Sequence, residues 1–98
     1  MLTHICLVHF KPELSQSDKT IAAVKLKEGL ENLAGKIDGL LEIKAENLLL
    51  DTSTADMLIT CKFTGKPALQ RYSGSPLLFN VQKILDYVET LDIADYID

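Results

Sequence analysis

Residues 2–10 read Leu-Thr-His-Ile-Cys-Leu-Val-His-Phe, and this stretch decides the fold of the chain. Its apolar and β-branched composition predicts a strand that stops at Lys11-Pro12. Alternation places His4, Cys6, Val8 and Phe10 on one face, and Ile5, Leu7 and His9 on the other. Because a strand that is apolar on both faces is typical of the middle of a sheet, we expect this strand to be central.

A helix and two strands follow. Ser15 to Asp18 supply caps for a helix that is expected to run to Gly35. Its predicted buried stripe recurs every three or four residues and comprises Ala22, Leu26, Leu30, Leu33 and Ile37. Residues 40–47 predict an edge strand, with Leu41, Ile43 and Ala45 facing the core and Glu42, Lys44 and Glu46 facing outward. Residues 51–55 predict a loop, and residues 56–64 a third strand.

The last third of the chain predicts two helices and a closing strand. Pro67 opens a short helix that ends at Gly74, and Ser75-Pro76 then cap a second one. The apolar stripe of this second helix is Leu77, Leu78, Val81, Ile84, Leu85 and Val88. Phe79 lies about 200° around the helix from Leu77, which predicts contact with the C-terminal strand or with a second copy. Residues 90–97 predict the fourth strand.

The element order β-α-β-β-α-α-β predicts one α+β domain over residues 1–98. Its four-stranded antiparallel sheet would have the first and third strands in the centre, with all helices on one face, as in a doubled split βαβ unit. The other face would carry Ile5, Leu7, His9, Leu58 and Thr60. This face is too apolar for water, so we expect a homodimer in which two sheets stack into a barrel.

Composition excludes several classes of protein. The 98 residues are 47% hydrophobic with a formal net charge of −4, which excludes a disordered chain. There is no basic run, so nucleic-acid binding is not expected. No stretch is long and apolar enough to span a bilayer, and the N-terminus does not read as a signal peptide. Cys6 and Cys61 lie far apart in apolar strands, which predicts buried free thiols in a reducing cytoplasm.

Short motifs spread along the chain resemble the stress-responsive α/β-barrel family, often called Dabb. They are His4-Ile-Cys-Leu-Val-His-Phe-Lys11, Gly39, Glu46-Asn47, Asp56-Met-Leu-Ile59, Phe63, Gln70-Arg-Tyr72, Pro76 and Asp95-Tyr96. The resemblance implies a ferredoxin-like protomer and a dimeric α+β barrel, in a family whose members mostly have no assigned reaction. It also implies a cavity between helices and sheet, where a plant cyclase of the family uses a His–Tyr pair.

The resemblance places Tyr72 at the family's pocket tyrosine but leaves out most of the pocket histidines. Members commonly read Tyr-x-x-His-Pro-x-His, and this chain has Ser75 and Leu78 at those two histidines. Met57 stands where the cyclase has a third histidine, so His4 alone remains beside Tyr72. A general base needs a group with a suitable pKa within reach of its proton. The resemblance therefore implies little cyclase-type chemistry, and the assignment as an enzyme stays open, leaning to no.

Three functions follow as hypotheses. The leading one is a dimer that holds a small apolar or aromatic compound in a pocket of His4, Met57, Tyr72 and Leu78, with no cofactor, no metal and no catalytic residue. His4 and His9 alternate to opposite faces and are not expected to share a metal. The second hypothesis is a cofactor-free cyclase, oxygenase or lyase with His4 as acid or base. The third is a structural dimerisation module.

Overall fold

The computed structural model describes the backbone of residues 1–98 and every side chain except those of Phe79 and Asn80, so the predicted contact of Phe79 lies outside the described residues. The four strands are β1 (Leu2–Phe10), β2 (Leu40–Glu46), β3 (Met57–Phe63) and β4 (Val88–Ile97). They form one antiparallel sheet in the order β2-β3-β1-β4. The predicted α+β class and the central position of the first and third strands are confirmed.

Helix α1 (Gln16–Glu31) begins as predicted and ends earlier than predicted. The Ser15 hydroxyl accepts a hydrogen bond from the Asp18 backbone N–H at 3.1 Å. The helix stops at Asn32, and a run of turns follows in which Gly35 adopts a φ of +78°. All five residues of the predicted stripe are nevertheless buried, because these turns keep Leu33 and Ile37 directed at the core.

Strand β2 corrects one predicted core residue. Leu40 is buried, whereas Leu41 is 57% exposed. The register of β2 against β3 shifts between Leu40 and Glu42, where an irregularity interrupts the pairing. Strict alternation from Ile43 back to Leu41 therefore fails at this point, while the predicted burial of Ile43 and Ala45 is confirmed.

The outer edge of β2 is held by side chains of α1. The Lys27 ammonium donates to the Ala45 carbonyl at 2.6 Å, and the Ala45 N–H donates to the Glu31 carboxylate at 3.0 Å. Lys27 and Glu31 also bond each other at 3.0 Å. These bonds satisfy backbone groups that β3 does not reach, and they blunt a sheet edge that could otherwise pair with another chain.

The region after β3 differs most from prediction. Helix α2 (Lys66–Ser73) has Pro67 in its first turn and ends at Gly74, as expected. The predicted long helix is instead a 3₁₀ turn (Pro76–Leu78), a single α-helical turn α3 (Phe79–Gln82) and a second 3₁₀ turn (Lys83–Tyr87). Val88 belongs to β4, because it pairs with Phe10 while the neighbouring Lys11 N–H bonds the Tyr87 carbonyl. The chain must leave the helical layer there to enter the sheet.

The helices lie on one face of the sheet and leave β4 uncovered. Gly29 of α1 packs so closely on Val81 of α3 that a Cβ at Gly29 would clash with it, which fixes the distance between the two elements. On β4, Leu91 and Ile93 are 43% and 58% exposed although their cross-strand partners Val8 and Cys6 are buried. The helical layer therefore ends short of β4 and leaves a cleft. No described helix is long and apolar enough to cross a membrane.

Candidate functional site

The cleft between the helical layer and β4 has a volume of about 430 Å³. Its floor is the sheet, one wall is α1, and the other wall is the segment from α2 through the second 3₁₀ turn. Most of the lining is aliphatic: Val8, Leu26, Leu30, Ile59, Leu78, Val81, Leu85, Leu91 and Ile93. Its polar or polarisable members are His4, Cys6, Tyr72, Ser73, Ser75 and Gln82. A mostly apolar concavity with a few polar groups is the usual form of a small-molecule site.

The structure brings three of the four predicted pocket residues together in this cleft. His4, Tyr72 and Leu78 all line it. Met57 does not: it is fully buried near the start of β3, opposite Val8. Met57 is therefore a core residue of this chain and does not line the cleft.

His4 is held by a carboxylate that the sequence analysis did not assign to it. His4 on β1 lies directly opposite Asp95 on β4, and its Nδ1 bonds Asp95 Oδ1. A carboxylate on one ring nitrogen fixes the orientation of the imidazole and favours a proton on that nitrogen. In the neutral ring the other nitrogen, Nε2, is then a hydrogen-bond acceptor. His4 and Asp95 form what we call the His4–Asp95 pair.

Tyr72 reaches the same place from α2. Its ring centroid lies 6.2 Å from that of His4, with the planes 62° apart, and 5.4 Å from that of Phe63. Edge-to-face contacts of this kind stabilise both rings. Burial raises the pKa of Tyr72, and the neighbouring Cys61 thiol raises it further. The phenol therefore stays protonated at physiological pH and can donate a hydrogen bond.

Both cysteines are buried and free, as predicted. Burial raises the pKa of Cys61 to about 12, and it also raises the pKa of Cys6. Because the thiolate is the nucleophilic form, neither sulfur has the properties of a reactive cysteine. Cys6 contributes a soft apolar surface to the cleft, and Cys61 packs beneath Tyr72.

The second histidine mirrors the first on the other face of the sheet. His9 Nε2 bonds Asp92 Oδ2 at 2.9 Å. Neither carboxylate is assigned to a histidine by the local sequence pattern, because each lies on a different strand from its histidine. A signal was present in the spacing, because His4 and His9 are an odd number of residues apart, as are Asp92 and Asp95. One carboxylate of β4 is therefore available on each face, once β1 and β4 are known to pair.

The residues predicted for a dimer interface lie on the open face of the sheet. Ile5, Leu7, His9, Leu58 and Thr60 are all partly exposed in the single chain. Thr3, opposite Lys62 and Tyr96, is 2% exposed. Its hydroxyl has no hydrogen-bond partner among the residues that the structure describes.

Other depressions on the surface lack the features of the cleft. One between α1 and the second 3₁₀ turn has charged side chains on both walls: Lys25, Glu28, Lys83 and Asp86. Another, beside the start of β2, is open and is bordered by Lys36, Asp38 and Arg71. Exposed charges of this kind are the ordinary surface of a small domain. The cleft at His4 is the candidate site.

Comparison with protein families matches the chain to the stress-responsive A/B barrel domain over residues 2–98. The comparison with curated proteins finds no significant match.

Solved structures share the fold over nearly the whole chain. A dimeric protein of unknown function with a ferredoxin-like fold from Bacteroides fragilis has a TM-score of 0.90 at 22% identity, covering 97% of this chain and 93% of its own. A Dabb family protein from Mesorhizobium loti has a TM-score of 0.72 at 17% identity, covering 99% and 95%. An antibiotic biosynthesis monooxygenase has a TM-score of 0.77 at 13% identity, covering 100% and 98%. At these identities the likeness establishes the fold alone.

Proposed function

The chain belongs to the stress-responsive A/B barrel domain family, and from that premise we propose that it is a homodimeric protein that binds a small apolar or aromatic compound in the His4 cleft. The observation that carries the proposal is the cleft itself, an aliphatic cavity of about 430 Å³ in which His4, bonded to Asp95, and Tyr72 lie side by side. Apolar lining supplies affinity, and the few polar groups orient the ligand.

The exposed apolar rim supports occupancy of the cleft. Leu85, Leu91 and Ile93 line its mouth and are 42%, 43% and 58% exposed. Apolar area removed from water is worth about 25 cal/mol per Å². A ligand that covers these three side chains and the aliphatic floor therefore gains affinity from surface that the fold leaves in water.

A cavity-filling variant tests the proposal. Leu78→Trp places a large side chain in the cleft, and Leu48→Trp places the same side chain on the loop after β2, where Leu48 is 91% exposed. We expect two-ring aromatic probes, such as 2-naphthol and 1,4-naphthoquinone, to raise the melting temperature of wild type and of Leu48→Trp. Leu78→Trp should show no shift. No shift in wild type with any probe would overturn the binding function and leave a structural dimerisation module.

The dimer rests on the open face of the sheet. Ile5, Leu7 and Leu58 are apolar and only half covered. The Bacteroides fragilis protein is described as dimeric. A second copy stacked on this face would bury the aliphatic side chains of both sheets.

Sedimentation velocity tests the dimer with a matched pair of variants. Leu7→Asp puts a charge in the middle of the open face, whereas Ile21→Asp puts one on α1, where Ile21 is 51% exposed on the far side of the molecule. We expect wild type and Ile21→Asp to sediment as dimers at micromolar concentration and Leu7→Asp as a monomer. A monomeric wild type would refute the interface.

A second candidate function is proton transfer by His4. The observation that favours it is the carboxylate on Nδ1, since a general base works best when its ring is held in one orientation and its second nitrogen is free. Among the side chains that the structure describes, none bonds Nε2 of His4. This geometry suits a cofactor-free cyclase, oxygenase or lyase that removes a proton from an apolar substrate.

The two histidines provide the test of this candidate. Exchange of the α-protons of 2-tetralone with deuterium oxide, followed by NMR, reports a base in the cleft without knowledge of the natural substrate. If His4 is a base, the exchange accelerates with wild type and with His9→Ala, and it falls to the buffer rate with His4→Ala. Acceleration that survives in His4→Ala would remove the assignment.

A further inference from the structure

The charges around the cleft restrict what it can hold. None of the described side chains that line it is a lysine or an arginine. A bound carboxylate or phosphate is ordinarily stabilised by such a cation, because burying an unpaired charge is unfavourable by several kcal/mol. Among its described side chains, the cleft therefore offers an anionic ligand no lysine or arginine.

The His4–Asp95 pair does not provide a positive charge in either protonation state. With a neutral imidazole the pair carries a net charge of −1, and with an imidazolium its net charge is zero. Asp95 itself is already bonded to the ring, so a second carboxylate on Nε2 would place two anions at the two ends of one imidazole. An anion therefore gains no net attraction here.

The described backbone around Ser73 to Leu78 gives an anion no binding site either. Ser73 and Gly74, at the carboxyl end of α2, line the cleft, and this end of a helix carries negative partial charge. The next turn begins at Ser75, but the N–H groups at its start already donate hydrogen bonds within the turn. Leu77 N–H donates to the Ser75 hydroxyl at 3.2 Å, and Leu78 N–H donates to the Ser75 carbonyl at 3.1 Å.

From these observations we propose that the ligand of the cleft is an uncharged aromatic or apolar compound bearing a hydroxyl group, such as a phenol, and that compounds carrying a carboxylate are excluded. The proposal rests on the binding function proposed above and specifies its ligand class. The hydroxyl donates to Nε2 of His4, the acceptor left free by Asp95. The ring system packs on the aliphatic lining. The site favours a neutral ligand over a carboxylate because no described side chain of the cleft offsets the cost of desolvating a carboxylate.

Three probes with the same ring system compare a neutral hydroxyl, a carboxylate and a methyl group: 2-naphthol, 2-naphthoate and 2-methylnaphthalene. The chain has no tryptophan, so naphthol fluorescence can be followed without an indole background. At pH 7.5, titration and displacement should show naphthol binding at least tenfold more tightly than naphthoate, a difference of about 1.4 kcal/mol. Methylnaphthalene, which lacks the hydroxyl, should fall between them.

A charge placed at the rim provides the internal control. Gln82 lines the cleft and is exposed, so Gln82→Lys adds a cation where the ligand enters, whereas Ser53→Lys adds the same charge on the loop between β2 and β3. Gln82→Lys should reduce the preference for naphthol over naphthoate at least threefold, and Ser53→Lys should leave it as in wild type.

The outcomes distinguish this inference from the function on which it rests. Naphthoate binding to wild type as tightly as naphthol would overturn the ligand class while leaving a ligand-binding cleft. Absence of binding by all three probes would overturn the cleft as a binding site and this inference with it. An unchanged preference in Gln82→Lys would show that missing positive charge is not the reason for the selectivity.

Discussion

Gly39, one of the residues that carry the family resemblance, makes a sharp prediction about stability. It adopts a φ of +85° immediately before β2. A Cβ at this position would lie 2.5 Å from the Ala68 Cβ of α2 and 2.8 Å from the Thr64 hydroxyl. Real Cβ atoms do not approach other atoms so closely. An alanine at this position is therefore destabilised twice, by the positive φ of its backbone and by the clash of its Cβ.

Gly35 serves as a control that carries the backbone penalty without the steric clash. It has a similar φ of +78°, but a Cβ there would meet nothing within 4 Å. Gly35→Ala therefore carries only the backbone penalty, about 1–2 kcal/mol. Gly39→Ala carries the same penalty plus overpacking, which is typically about 1–3 kcal/mol. We expect Gly39→Ala to lower the free energy of unfolding by about 2–5 kcal/mol, and by at least 1 kcal/mol more than Gly35→Ala.

Urea denaturation measures both losses, at one fixed protein concentration because the apparent stability of the proposed dimer would depend on concentration. The double variant Gly39→Ala with Ala68→Gly removes the nearest clashing atom and should recover part of the loss, a coupling that a double-mutant cycle detects. Equal losses for Gly35→Ala and Gly39→Ala, or strict additivity of the double variant, would refute the close approach of α2 to the start of β2.

Three further predictions concern single groups. Because the pKa of Cys61 is raised to about 12 in the fold whereas an unfolded thiol ionises near pH 8.5, the unfolded state releases its proton first. Cys61 alone should therefore make the free energy of unfolding fall by about 1.4 kcal/mol per pH unit between pH 9 and pH 11. In urea titrations, Cys61→Ala should show a correspondingly smaller fall of the unfolding free energy with pH. The backbone N–H of Ala45 and the Lys27 ammonium lower the pKa of Glu31. Glu31→Ala should therefore lower the free energy of unfolding by about 1 kcal/mol at pH 7. Glu28 makes no such bond, so Glu28→Ala should change it by less than about 0.5 kcal/mol. The loss from Glu31→Ala should shrink as pH falls below about 4, and a loss that persists in acid would exclude the carboxylate as its source. Ser15→Ala should lower the thermal midpoint through about 1 kcal/mol of lost capping, and Ser17→Ala, which caps nothing, should not.

The pattern of the sequence was sufficient where it reports a local periodicity. The two apolar faces of residues 2–10 predicted a central strand, and β1 is central. The stripe of α1 predicted its buried residues because burial on one side imposes a period on the sequence. The same periodicity failed at Leu41 and at Val88, where a register shift and the entry into β4 are decided by pairing with another strand.

The candidate site shows the same division. Residue types and the family resemblance were enough to place His4, Tyr72 and Leu78 in one pocket and to predict an open face that a second copy could cover. Only the tertiary structure decided that Met57 is core and that Asp95 and Asp92 each bond a histidine on opposite faces of the sheet. It also left the walls of the cleft without a described cation. The physical reason is the separation of the interacting residues along the sequence. A hydrophobic period depends on neighbouring residues, whereas the hydrogen bond between His4 of β1 and Asp95 of β4 joins residues about 90 positions apart. Only the folded sheet defines the register that brings these two residues together.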